Sequence, residues 1–222
     1  MEISELLKMP DDIAIEDIQT KFENIANQLM KEFCILSGEK TYYFAELEFY
    51  YYDKERFNKV WNEKTYPRNN KKAGELFFHY SGFDICFNSS FNDGRFGGIL
   101  IRSLIDKTNN KFITGPLLCL NEVLNACTKK EKMPKVVELS VEEKLYQKNN
   151  CVICDPPITR YGITYKDKKT QDVPWCFFDK RLLDENNQKN KFENSTWDYV
   201  KGEAKDSIRY YHRFDSKCSP TT

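Results

Sequence analysis

The segment Glu46-Leu-Glu48-Phe-Tyr50, followed by Tyr51 and Tyr52, sets two carboxylates two residues apart in an aromatic run. Side chains alternate along a β-strand with period two, so Glu46 and Glu48 share one face with Tyr50. A carboxylate in such an aromatic surround is partly desolvated, which suits it to act as a general base toward water. The plain alternative is an edge strand whose glutamates face solvent. Arg102 lies within Ile99-Leu-Ile-Arg-Ser-Leu104. A guanidinium on an apolar strand must be paired or line a site, because an unpaired buried charge is very costly. A structural salt bridge meets that demand equally well. Asn88, after Ile85-Cys-Phe, carries an amide that either reads a base edge or caps a hairpin.

Eight cysteines stand at 34, 86, 119, 127, 151, 154, 176 and 218. Several lie in apolar runs, where a thiol behaves as a small hydrophobe. Cys151-Val-Ile-Cys154 has the spacing of half a zinc or redox site, but no second such pair follows and His79 and His212 are the only histidines. Buried, reduced thiols in an intracellular compartment are the expectation. No metal or organic cofactor is expected.

The elements that must position these groups follow from pattern. Ile15, Ile18, Phe22, Ile25, Leu29 and Phe33 recur at steps of three and four, predicting a helix over 13–33 that starts at the Pro10-Asp11-Asp12 capping signal. Leu36-Ser37-Gly38 predicts a turn. Strands are predicted over 42–50, 76–80, 84–88 and 99–104, with Ser81-Gly82 as a hairpin turn and Gly97-Gly98 preceding the last of them. Gly115-Pro116 opens a predicted helix through Cys127. Residues 136–153 are ambiguous between strand and helix, and 158–165 and 173–178 read as late strands. The expected fold class is α+β: one domain with a curved, mostly antiparallel sheet flanked by helices, over residues 1–183. Residues 184–222 are read as a C-terminal appendage.

The 222 residues hold 34 Lys+Arg and 34 Asp+Glu, which alone discourages a nucleic-acid partner. The charge is uneven. Residues 1–40 carry 4 basic and 9 acidic side chains, a balance of −5, which leaves +5 on the remainder. That excludes a strong nonspecific DNA binder and permits a weaker, salt-sensitive one. No apolar run is long enough to span a bilayer and the first residues lack a signal-peptide core, so no membrane partner is expected.

Taken in order, these motifs resemble the alkyladenine (3-methyladenine) DNA glycosylase family. Ala26-Asn-Gln-Leu-Met30 is similar to the family's "ARxLL" helix, and Glu46-Leu-Glu-Phe-Tyr50 to its "ETEAY" strand. Pro67-Arg68-Asn69 is similar to "TPRN", Phe78-His-Tyr-Ser-Gly82 to "YxxYG", and Cys86-Phe-Asn88 to "CxN". Leu100-Ile-Arg102-Ser-Leu104 is similar to "LxRAL", Gly115-Pro116 to the helix-opening "GP", and Arg160-Tyr-Gly-Ile163 with Pro174-Trp175 to the late "PRIGI…PWRF" pair. The resemblance spans residues 15 to 178.

It implies a monomeric enzyme that flips a damaged purine nucleotide out of double-stranded DNA and hydrolyses its N-glycosidic bond. Glu48 would deprotonate the attacking water and Arg102 would help hold it. Tyr50 and Phe78 would wall the flipped base, and Asn88 would restrict normal guanine. Arg68, Asn69, His79, Tyr80, Ser81, Gly82 and Arg160 would contact DNA. Departures are equally informative. The intercalating tyrosine is replaced by Ser81, leaving His79 or Tyr80 as candidate wedges. Phe78 lacks a hydroxyl, residues 51–66 lack the pocket histidine, and Cys176 stands where the family has arginine. Retention of Glu48 and Arg102 favours a divergent glycosylase. A fold-only binding module for nucleic acid or protein is the second reading, and an unrelated module the third.

Overall fold

A computed structural model describes residues 2–14, 16–54, 65, 68, 71–88, 94–127, 133–160, 163 and 173–183. Along the chain, a short helix α1 (Ile3–Leu6) and a longer α2 (Asp17–Glu32) precede strands β1 (Phe33–Ser37) and β2 (Lys40–Asp53). A hairpin of β3 (Leu76–His79) and β4 (Gly82–Cys86) follows, then β5 (Arg95–Asp106) and β6 (Lys111–Thr114). Helix α3 (Pro116–Ala126), β7 (Lys135–Glu138), helix α4 (Val141–Asn150) and β8 (Cys176–Phe178) complete the described elements, with a 3-10 turn at Lys180–Leu183.

Every strand pairing is antiparallel. The order is β3-β4-β5-β2-β1-β7, with β6 also on β5 and β8 also on β2. β4 and β6 divide one edge of β5 between them, and β1 and β8 divide one edge of β2. The sheet therefore curls into a half-barrel flanked by helices, as the α+β expectation requires. β2 and β5 are its spine, so the glutamates of β2 lie on a central strand and not on a solvent-facing edge.

Helix α2 buries Ile18, Phe22, Ile25 and Leu29 on one stripe against the sheet. Phe22 is the hub: its ring stacks on Phe87 at 5.7 Å, tilts over Phe49 at 4.6 Å and meets Trp175 edge-on at 5.0 Å. Helix α3 adds Cys119, Leu120 and Val123 to the same core. A second cluster on the other face gathers Tyr43, Ala45, Ile105, Phe112, Ile158, Cys176 and Phe178.

Several expectations need correction. The Pro10-Asp11-Asp12 signal does not start α2, which begins at Asp17 after Glu16 without a side-chain cap. Phe33 leaves the helix with extended backbone (φ −129°, ψ 161°), because Phe33-Cys34-Ile35-Leu36 pairs with both β2 and β7. The hairpin turn is Tyr80-Ser81, since His79 and Gly82 are already a paired position. Gly97 and Gly98 lie inside β5, where a Cβ on Gly98 would meet Arg68 Nε at 2.7 Å. The ambiguous stretch resolves into β7 and α4, which opens with a Ser140/Glu143 capping box. Ile158 makes only a single bridge, to Cys176, and residues 161, 162, 164 and 165 lie outside the described residues. So do residues 184–222. Among the described residues no helix is long and apolar enough to cross a membrane.

Replacing Phe22 with Ala empties the centre of the main core. Chemical denaturation should show a stability loss of about 3–5 kcal/mol with the denaturant slope unchanged.

Candidate active site

Alternation in β2 breaks once, at the candidate residues. Tyr42 and Phe44 enter the helix-side core, then Leu47, Phe49 and Tyr51 do, so one step is skipped between Phe44 and Leu47. The pairing with β5 shifts at the same place, between Phe44/Glu46 and Glu46/Leu47. β5 shows the matching irregularity, with Ile101 and Leu104 in the helix-side core and Arg102 and Ser103 between them. Two facing bulges thus bring extra residues to one face of the sheet and restore the register beyond it. The residues so presented are Glu46, Glu48, Arg102 and Ser103.

Their side chains form one connected group. Arg102 Nε lies 3.4 Å from Glu46 Oε1 and 3.4 Å from Glu48 Oε2. Ser103 Oγ donates to Glu46 Oε2 at 3.0 Å, and Cys176 Sγ of β8 approaches Glu46 Oε1 at 3.4 Å. The Tyr50 hydroxyl donates to Glu48 Oε1. Over the Tyr50 ring sits the Arg160 guanidinium, 4.9 Å from its centroid and 5.4 Å from that of Trp175. Both glutamates have 0% exposure, and Arg102 has 6%. From behind, the Gly115 N–H and the Cys119 thiol bond to the Arg102 carbonyl at 2.8 and 3.5 Å, tying the start of α3 to the site.

Electrostatics fix the protonation of two members. Burial pushes the Tyr50 phenol well above its ordinary value, and the Glu48 carboxylate beside it adds to the effect. Tyr50 therefore keeps its proton and stays a donor. Burial works against the charged form of Arg102, but Glu48 and then Glu46 more than offset it and hold the guanidinium above its ordinary value.

Of the residues expected to act together, Glu48, Arg102 and Tyr50 converge. Others do not. Phe78 stacks with Phe83 at 5.8 Å and packs on the helix-side core, the face opposite Glu48, because the hairpin register turns it there. The Asn88 amide oxygen accepts the Met9 N–H at 3.0 Å, so it serves as a local brace. Arg68, expected at the DNA surface, is 2% exposed and donates from Nε and Nη2 to Asp84 Oδ2 at 3.1 and 2.7 Å. His79 lies 3.6 Å from the same oxygen through Nε2 and 3.0 Å from Ser81 Oγ through Nδ1. Gly82 is buried, and a Cβ there would meet Pro116 Cβ at 2.8 Å. Arg160, also expected on DNA, is buried over Tyr50. Tyr80 alone of this group is strongly exposed, at 83%. Asn69 lies outside the described residues.

Sequence reasoning missed Ser103 and Cys176 as partners of Glu46. Ser103 was findable as the residue beside Arg102, but only the bulge turns it to the same face. No protein-family model, curated protein or solved structure matches this chain.

Among the described residues, the remaining thiols form no disulfide. Cys34, Cys86, Cys151 and Cys154 are buried and unbridged, Cys127 is half-buried, and no three His, Cys, Asp or Glu among the described residues gather as a metal site. Burial raises the thiols of Cys34, Cys86 and Cys151 from 9.0 to about 12. The folded chain then holds protons that the unfolded chain releases, so stability is intact below about pH 9 and falls as pH rises toward about 12. Urea midpoints measured across that window should decline, and less steeply in Cys86→Ala.

Proposed function

We propose that this chain is a DNA glycosylase that hydrolyses the N-glycosidic bond of damaged, alkylated or deaminated purines after flipping the nucleotide from the duplex. One observation carries the reading: Glu48 and Arg102, from neighbouring strands, share an ion pair while Tyr50 bonds the same carboxylate. These are the three positions that the family resemblance gives to water activation and base stacking. A general base held by a charged and a neutral donor is oriented before substrate arrives, which lowers the cost of reaching the reactive geometry.

In this mechanism Glu48 takes a proton from water as that water attacks C1′ and the base departs. Arg102 fixes the carboxylate oxygen facing it, and Tyr50 fixes the other. The Tyr50 ring, with Arg160 on it, offers the flipped base an aromatic platform, worth about 1–3 kcal/mol per base by stacking. Tyr80, projecting from the tip of the β3–β4 turn, fills the gap left in the duplex, a role for which Ser81 is too small. Contact between the hairpin base at Gly82 and Pro116 of α3 braces the wedge. Because Glu48 is fully buried, DNA binding has to part the Tyr50–Arg160 cover to admit a base.

That same burial favours a second reading, in which the cluster is a structural remnant and the fold binds nucleic acid or a protein without catalysis.

A single-turnover panel on duplexes bearing hypoxanthine, ethenoadenine or 3-methyladenine separates the two. The glycosylase reading expects release of at least one base, a loss of about 10²–10⁴-fold in Glu48→Gln with the gel shift kept, and weaker flipping in Tyr80→Ala. A gel shift without release by the native chain supports the binding module. Absence of both release and shift overturns both readings.

A further inference from the structure

Two carboxylates meet one guanidinium in this site, each 3.4 Å from Arg102 Nε. We propose that Glu46 is a positioning residue: it keeps Arg102 neutralised and in place while Glu48 gains and loses the proton of the attacking water. This rests on the glycosylase reading and extends it to a residue with no assigned role.

The C1′–N bond breaks and its electron pair leaves with the purine. A C1′–O bond forms from water, and one water proton passes to Glu48, which becomes neutral. When Glu48 becomes neutral, the buried guanidinium loses one of the two carboxylate charges that its Nε faces, and buried charge is expensive to keep in a protein interior. Glu46 removes the difficulty. It lies at the same 3.4 Å from Arg102 Nε as Glu48 does, and it is itself held by Ser103 Oγ at 3.0 Å and by the Cys176 thiol at 3.4 Å. Its partners do not change when Glu48 takes a proton.

The charge count fits the chemistry. Before reaction the Glu46–Arg102–Glu48 group is formally −1, and positive charge develops at C1′ as the base departs. After proton uptake the group is neutral. Fixed negative charge is thus present when the sugar becomes cationic and gone when the product forms. Among the described residues, the other polar or titratable groups facing it include Tyr50 on β2, Ser103 on β5, Cys176 on β8, Cys119 on α3 and Arg160. Tyr50 and Cys119 are both pushed upward by burial and stay protonated, and Arg160 is set off across the Tyr50 ring.

The test compares native protein, Glu46→Gln and Glu46→Asp in single-turnover excision across pH. Glu46→Gln removes one of the two carboxylate charges that Arg102 Nε faces. The acid limb of the rate profile should move to lower pH by about one unit, and the plateau should fall by about 10-fold because the base is weaker. Glu46→Asp should recover most of the limb position. A second readout does not need turnover: the Nε–H resonance of Arg102 in ¹⁵N-arginine-labelled protein. On acidification it should hold its position in the native chain and move in Glu46→Gln. A Glu46→Gln variant that loses thermal stability but keeps both limb and resonance assigns Glu46 a purely structural role and overturns the proposal. If the native chain releases no base but the resonance difference is present, the hold on Arg102 stands and the glycosylase reading falls.

Discussion

A guanidinium buried between two strands must be neutralised where it stands, and the middle of this sheet is arranged around that demand. Arg102 takes its counter-charges from a neighbouring strand, at two residues that strand alternation sets on the same side. Those carboxylates then need donors of their own, which come from β5, from β8 and from Tyr50. The main chain behind Arg102 is held by the first turn of α3. Each support thus belongs to a different element. Removing one leaves buried charge without compensation, which is far more destabilising than losing an equal area of apolar contact.

A second buried guanidinium, Arg68, is handled differently. It forks onto a single carboxylate, Asp84, and lies across β5 at Gly98, where any side chain would collide with it. The net charge of that pair is zero. Comparison of the two makes the surplus carboxylate at Arg102 conspicuous.

Much of the frame was legible in the sequence because it rests on periodicity. The stripe of α2, the opening of α3 at Gly115-Pro116 and the shared face of Glu46 and Glu48 all follow from 3.6- and two-residue repeats. What escaped were short or non-local features. β1 and β6 are only five and four residues long, and β1 continues directly from a helix with apolar residues that fit either element. Bulges carry no signature of their own, so the turning of Ser103 toward Glu46 was invisible. Arg68 and Arg160 read as surface cations because their partners, Asp84 and the Tyr50 and Trp175 rings, are remote in sequence. Where the resemblance implied an arginine after Pro174-Trp175, the chain has Cys176, whose thiol now meets Glu46.

Strand β8 has a consequence for the order of events in synthesis. It is the element that covers the β2 edge at Glu46–Glu48, and its Cys176 contacts a residue 130 positions earlier. At roughly 5–20 residues per second, a ribosome delivers that strand about 7–26 s after Glu46. During that interval the sheet can form through its hairpins while the carboxylates remain open to water along one edge. The final burial of the charged group is therefore a late, long-range closure, and a chain stopped before Trp175 would carry its glutamates and its arginine on an unfinished margin.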